Sequence, residues 1–250
     1  MQHKEYKRIN PRARAAVLFV HGIVGTPNHF AAFVPLVPES VSVYNILLDG
    51  HGGSVQDFSH TSMQKWEAQV REAVEELSMM HTEVYIVAHS MGTFFAIDRA
   101  IENEAVKGLF LFAVPLKIAP KPRMVSNLCK VYFDKIKPDD VVAQAAKRCY
   151  GIAQDKNPFH YFGWLPRYLE LFAKAREMRR RLRDLKTPCA AYQSVGDEMV
   201  SAASAKLLEQ NENICVTSLP NSGHYYYAPT DFAFLLKEFE RFVNQIERNK

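Results

Sequence analysis

Six near-continuous apolar runs, separated by stretches that suit helices, constrain this 250-residue chain more than any other feature. The runs occupy residues 15–20, 41–48, 83–87, 107–113, 189–195 and 214–219. A strand with one wet face alternates apolar and polar side chains, so runs without alternation predict strands covered on both faces, as in a parallel sheet. Helical patterns fall between them at 62–80, 91–103, 201–210 and 230–248, with Thr61 and Gln64 placed as a capping box before the first. Parallel neighbours need helical crossovers. The expected fold is therefore α/β, a mostly parallel sheet of about six to seven strands with helices on both faces.

The alternation breaks once. Between 114 and 188 there is no strand pattern, about half of the prolines gather, and aromatics are frequent: Tyr132, Phe133, Tyr150, Phe159, Tyr161, Phe162, Trp164 and Tyr168. A helical insertion over the sheet accounts for this, giving an α/β core of 1–114 and 188–250 and a helical cap or lid with a return helix at 115–187. Lids of this kind cover ligand sites. None of the aromatics is assigned to a ligand individually, and substrate contacts are expected from the cap as a whole.

Open α/β sheets place their chemistry in the loops at the carboxyl ends of strands. The third run ends in Ala88-His89-Ser90-Met91-Gly92. A serine flanked by small residues on a strand-to-helix turn reads as a nucleophile elbow, in which the tight turn exposes the hydroxyl. A serine hydroxyl needs a base to take its proton and an acid to orient that base. Asp197, in Gly196-Asp197-Glu198, follows the fifth run, and His224, in Asn221-Ser222-Gly223-His224, follows the last. The order Ser90, Asp197, His224 is that of an elbow hydrolase. Oxyanion donors are expected from the amide of Met91, at a helix N-terminus, and from Ile23, in the turn after the first run. Glu198 is the rival to Asp197, and the shorter side chain directly after Gly196 is preferred. His21, His51 and His89 border the same loops and read as hydrogen-bonding loop residues.

Together with His21-Gly22 after the first strand and Asp49-Gly50-His51-Gly52-Gly53-Ser54 after the second, these motifs resemble the α/β-hydrolase superfamily. Within it the chain is most similar to the small carboxylesterases and monoacylglycerol lipases, including the serine aminopeptidase-like lysophospholipases. The resemblance spans 15–248 apart from the insertion. It implies Ser90 as nucleophile, Asp197 as acid, His224 as base, Ile23 and Met91 as oxyanion amides, and a helical cap where the insertion lies. Two features depart from the pattern: Ala88 replaces the commoner first glycine of the elbow, and only about 14 residues precede the first strand, which trims the usual antiparallel strands to one or none.

Other readings lose ground on composition and spacing. Gly22-Ile23-Val24-Gly25 with Asp49 lacks the Gly-x-Gly-x-x-Gly spacing of a dinucleotide fold. A net charge of +4 does not argue for nucleic acid, and no window approaches the roughly 18 apolar residues of a membrane span. The basic N-terminal stretch has no apolar h-region. Cys129, Cys149, Cys189 and Cys215 have no metal or redox spacing and are expected to be buried or inert thiols in the cytoplasm. No metal or cofactor is expected. The arginines of 176–183 read as a solvated helix face, with an anionic surface or contact between copies as the second reading.

The sequence thus predicts a serine hydrolase that cleaves a carboxylic ester carrying an apolar acyl or aryl group through an acyl-enzyme. The alternatives are the same triad acting on amide, thioester or carbon–carbon bonds or in acyl transfer, and a non-catalytic binding module of this fold.

Overall fold

The central strands form where apolar side chains fill both faces of the chain. The computed structural model describes residues 3–248. It contains β1 (Tyr6–Arg8), β2 (Ala15–Val20), β3 (Ser42–Ile46), β4 (Glu83–His89), β5 (Val106–Phe112), β6 (Cys189–Ser194) and β7 (Ile214–Leu219). They make one sheet in the order β1-β3-β2-β4-β5-β6-β7, with β1 antiparallel to β3 and every other pair parallel. The helices are α1 (Val55–Ser59), α2 (Met63–Met80), α3 (Gly92–Glu102), α4 (Pro122–Tyr132), α5 (Val141–Cys149), α6 (Leu165–Arg181), α7 (Ala203–Leu208) and α8 (Pro229–Arg248).

Successive side chains on a strand point to opposite faces, so each buried strand feeds two cores. On β2, Ala16, Leu18 and Val20 pack with Trp66 of α2, Phe94 of α3 and Leu171 of α6. Ala15, Val17 and Phe19 pack on the other face with α8, whose Leu235, Phe239, Val243 and Ile246 recur at helical spacing. Phe239 is fully buried, with its ring 6.0 Å from that of Phe19 and 5.4 Å from that of Phe110. Burying a side chain of this size stabilises the fold by roughly 1.5–3 kcal/mol.

Three expectations are corrected locally. Ser62, not Thr61, caps α2: the Ser62 side chain accepts from the Lys65 amide, while the Thr61 hydroxyl is buried without a partner. The arginine-rich end of α6 is only partly a solvated face. Arg176, Arg180 and Arg183 are exposed, but Arg179 donates to the Leu116 carbonyl and Arg181 pairs with the fully buried Asp98 of α3 at 2.6 Å. Lys174 lies 2.7 Å from the same carboxylate. Cys149 and Cys189 are buried as expected, whereas Cys129 and Cys215 are exposed; all four are free thiols.

The stretch between β5 and β6 holds α4, α5, a 3-10 segment (Pro158–Trp164) and α6. Its middle is tied to the loops above the sheet. Gly151 donates to the Val24 carbonyl, its own carbonyl accepts from Gly52, and Ala153 donates to the Gly53 carbonyl. Among the described residues no helix is long and apolar enough to cross a membrane.

Candidate active site

Ser90 follows β4 directly and stands at φ +52°, a left-handed conformation that a non-glycine residue adopts rarely. Its amide donates to the Phe112 carbonyl at the end of β5, and its own carbonyl accepts from the Thr93 amide and hydroxyl. The turn leaves no room for a side chain at position 92. A Cβ on Gly92 would lie 2.7 Å from the His21 carbonyl oxygen and closer still to that of Val20. Crossing of the elbow by the loop after β2 therefore requires glycine there.

Asp197 and His224 meet above the carboxyl ends of β6 and β7. His224 Nδ1 lies 2.8 Å from Asp197 Oδ2, and each side chain is only 2% exposed. The other carboxylate oxygen, Oδ1, accepts from the Met199 and Val200 amides at 2.7 Å each. Burial pushes the Asp197 carboxyl up, but attraction to His224, the hydrogen bond to it and the two amides outweigh burial and leave the group below its ordinary value. A carboxylate held in this way fixes His224 with its proton on Nδ1 and turns Nε2 outward as an acceptor. His224 Nε2 is buried and has no hydrogen-bond partner among the described residues.

The family described as "serine aminopeptidase, S33" matches residues 11–224, a stretch that includes all three of these side chains. The chain belongs to the serine aminopeptidase S33 family. Its fold is that of the α/β-hydrolases, and solved structures align along nearly all of it. A structure of the metagenome-derived lipolytic enzymes LipS and LipT superposes with a TM-score of 0.75 at 18% identity over 98% of each chain. The monoacylglycerol lipase of Paleococcus ferrophilus superposes with 0.69 at 16% identity over 98% of this chain and 99% of its own. A soluble variant of the Saccharomyces cerevisiae monoglyceride lipase, bound to a substrate analog, gives 0.65 at 10% identity over 95% and 88%. Comparison with curated protein sequences returns no match.

In this S33 family member the amides of Ile23 and Met91 make no hydrogen bond among the described residues, and both residues are buried beside the elbow. Val24, next to Ile23, also takes φ +52°, an outlier for a β-branched residue. His21 holds this turn. Its Nε2 accepts from the Leu48 amide (3.0 Å), so Nδ1–H donates to the Gly22 carbonyl (2.9 Å). His51 packs its ring 4.8 Å from that of His21, and its Nδ1 reaches the Leu48 and Asp49 carbonyls. His89 donates from Nε2 to the His224 carbonyl at 3.0 Å and stacks on His29 at 3.9 Å. His21 and His51 are hydrogen-bonding loop residues, as their positions in the sequence suggest, whereas His89 is the last residue of β4 and bonds from the strand end. Burial holds His21 and His89 well below the usual histidine range and brings His29 to about 3 and His51 to about 4.

Sequence reasoning missed how the His224 loop is fixed. The Glu198 carboxylate accepts from the His224 amide (2.8 Å), so the two neighbouring acids divide the work: Asp197 takes the ring and Glu198 the backbone. Asp231, in the first turn of α8, accepts from the Asn221 amide and the Ser222 hydroxyl. An acid at a helix N-terminus was the available signal, but nothing in the sequence links it to a loop ten residues earlier. Beside His224 opens a chamber of about 310 Å³, walled largely by apolar side chains of α4, α5 and α6, and a second cavity of about 320 Å³ shares Val24, Leu128, Val131, Tyr150 and Tyr168 with it. Among the described residues no group of three or more His, Cys, Asp or Glu side chains is arranged to hold a metal ion.

Proposed function

We propose that this chain is a serine-dependent carboxylic ester hydrolase of the carboxylesterase or monoacylglycerol lipase type, with Ser90, Asp197 and His224 as its catalytic triad. The observation that carries the reading is the buried Asp197–His224 hydrogen bond, which leaves Nε2 unpartnered on the sheet edge that also bears the left-handed Ser90. With substrate bound, the Ser90 hydroxyl swings to Nε2, a contact that commonly tightens only in the complex. His224 takes the proton as Oγ attacks the ester carbonyl carbon, and the carbonyl oxygen becomes an oxyanion facing the Ile23 and Met91 amides. The tetrahedral intermediate collapses, the C–O bond to the alcohol breaks, and His224 returns its proton to the leaving alkoxide. Water then attacks the acyl-enzyme with His224 again as base, releasing the acid and restoring Ser90.

The chamber favours esters over peptides with a free amino terminus. An ammonium group is costly to withdraw from water, and the chamber wall is largely hydrocarbon. The names of the solved relatives, lipases and a monoglyceride lipase bound to a substrate analog, point the same way. The helices of 115–187 act in this reading as the cap that shapes an apolar acyl or aryl site. Four free thiols suit a reducing compartment such as the cytoplasm. A panel of p-nitrophenyl esters of rising acyl length tests the proposal: wild type turns over esters with apolar chains, and Ser90→Ala loses on the order of 10³-fold or more. Activity confined to amides or thioesters would contradict it.

A further inference from the structure

One polar side chain in the chamber wall is not used by the proposed chemistry. Asn127 lies on the buried face of α4, one turn before Val131, is 8% exposed, and lines the chamber among Leu128, Leu171 and Phe172. Its carboxamide makes no hydrogen bond among the described residues. Its polar atoms face the chamber rather than packed core, so the carboxamide is open to whatever occupies that space, where leucine would complete the apolar wall. The neighbouring Tyr150 and Tyr168, which line both cavities, carry hydroxyls that likewise have no hydrogen-bond partner among the described residues.

We propose that Asn127 determines specificity by recognising a hydroxyl on the acyl part of the substrate, so that the preferred ester carries a hydroxylated rather than a plain hydrocarbon acyl group. This rests on the ester-hydrolase reading above. The chemistry of the wall selects the group. A carboxamide offers both donor and acceptor, and a hydroxyl satisfies both. A carboxylate is excluded, because a charge is costly in an apolar chamber and Glu198 stands in the same wall. An ammonium group donates but cannot accept, so it would leave the donor side of the carboxamide unpaired. The acyl part is the occupant because the chamber is walled by hydrocarbon, which a hydrocarbon chain covers with gain and a small or polyhydric alcohol does not.

The test compares kcat/KM of wild type and Asn127→Leu on p-nitrophenyl esters of medium-chain acids, unsubstituted or with one hydroxyl moved along the chain. Wild type should prefer at least one hydroxylated ester by about tenfold, the scale of one neutral hydrogen bond. Asn127→Leu should lose that preference, with kcat/KM falling about tenfold more on the hydroxylated ester than on the plain one, and should melt at no lower temperature than wild type. A wild type indifferent to every hydroxyl position overturns the proposal, as does a preference that survives in the variant. A lowered melting temperature with equal losses on both substrates overturns it too, since that marks a structural amide. Fluorophosphonate labelling of both proteins separates the failures: no label on Ser90 removes the ester-hydrolase reading and this proposal with it, whereas normal labelling without hydroxyl preference removes this proposal alone.

Discussion

At Ser90 the backbone stands where only glycine is comfortable, and the cost of about 1–2 kcal/mol is tolerated because the Phe112 carbonyl and Thr93 hold the turn from both sides. Replacing the serine by glycine should therefore abolish ester turnover while raising stability in urea unfolding by roughly 1 kcal/mol; a loss of stability would mean that the turn is not strained. The two neighbouring acids give a second contrast. Asp197→Asn removes the carboxylate that sets the His224 tautomer, and kcat should fall by on the order of 10³- to 10⁴-fold. Glu198→Gln keeps an acceptor for the His224 amide and should cost no more than about tenfold. The reverse ranking in steady-state kinetics would reassign the acid. The residues of the proposed triad stood out in the sequence because each follows an apolar run with a small residue within two positions. The bond from Glu198 to the His224 amide was not, because a residue that accepts from backbone leaves no mark in residue type, and Asn127 is one polar residue among many until the chamber around it is seen.

Among the elements, strands made of apolar runs were the most legible: β2, buried on both faces, and β7, partly exposed along its middle, have the predicted bounds of 15–20 and 214–219. β1 was invisible because Tyr-Lys-Arg shows no apolar pattern, and this edge strand is held by its ladder to β3 and by ion pairs of Lys7 with Glu76 and Arg8 with Glu39. The cap of α2 slipped by one residue because adjacent hydroxyls at 61 and 62 both suit the position and only backbone geometry separates them. Helices α4 to α6 were foreseen only as a helical insertion, since their faces serve cavities as well as the core. The link between this insertion and the turn that carries Ile23 is a tight one. A Cβ on Gly151 would lie 1.8 Å from the Thr26 methyl and 2.7 Å from the Gly25 carbonyl oxygen. Gly151→Ala should push the two segments apart and lower kcat about tenfold or more through the displaced Ile23 amide, with a smaller effect on KM. Unchanged kcat would show that the two segments move independently.

For the whole molecule, four histidines near the site, three buried and His29 partly so, set the response to acid. Burial keeps His21, His29, His51 and His89 unprotonated in the fold, with His29 at about 3 and His51 at about 4, whereas unfolded histidine takes up a proton near 6.5. Unfolding therefore binds protons below that pH, and stability falls as pH drops from about 6.5 toward 4, at up to roughly 1.4 kcal/mol per pH unit for each ring. Asp197 adds to the loss only at lower pH, because its depressed carboxyl stabilises the fold above the ordinary carboxylate range and this contribution disappears as pH falls through its folded value. Urea midpoints measured across this range should decline steeply, and a flat profile would mean that the rings are not buried as neutral groups. Ser90 after β4 and the hydrogen-bonded Asp197–His224 pair after β6 and β7 stand at the same end of the sheet. Mass spectrometry after reaction with a fluorophosphonate tests this most directly: the adduct should form on Ser90, slow sharply in His224→Ala and be absent in Ser90→Ala, whereas an unlabelled folded wild type, or a label on any other residue, would contradict the account.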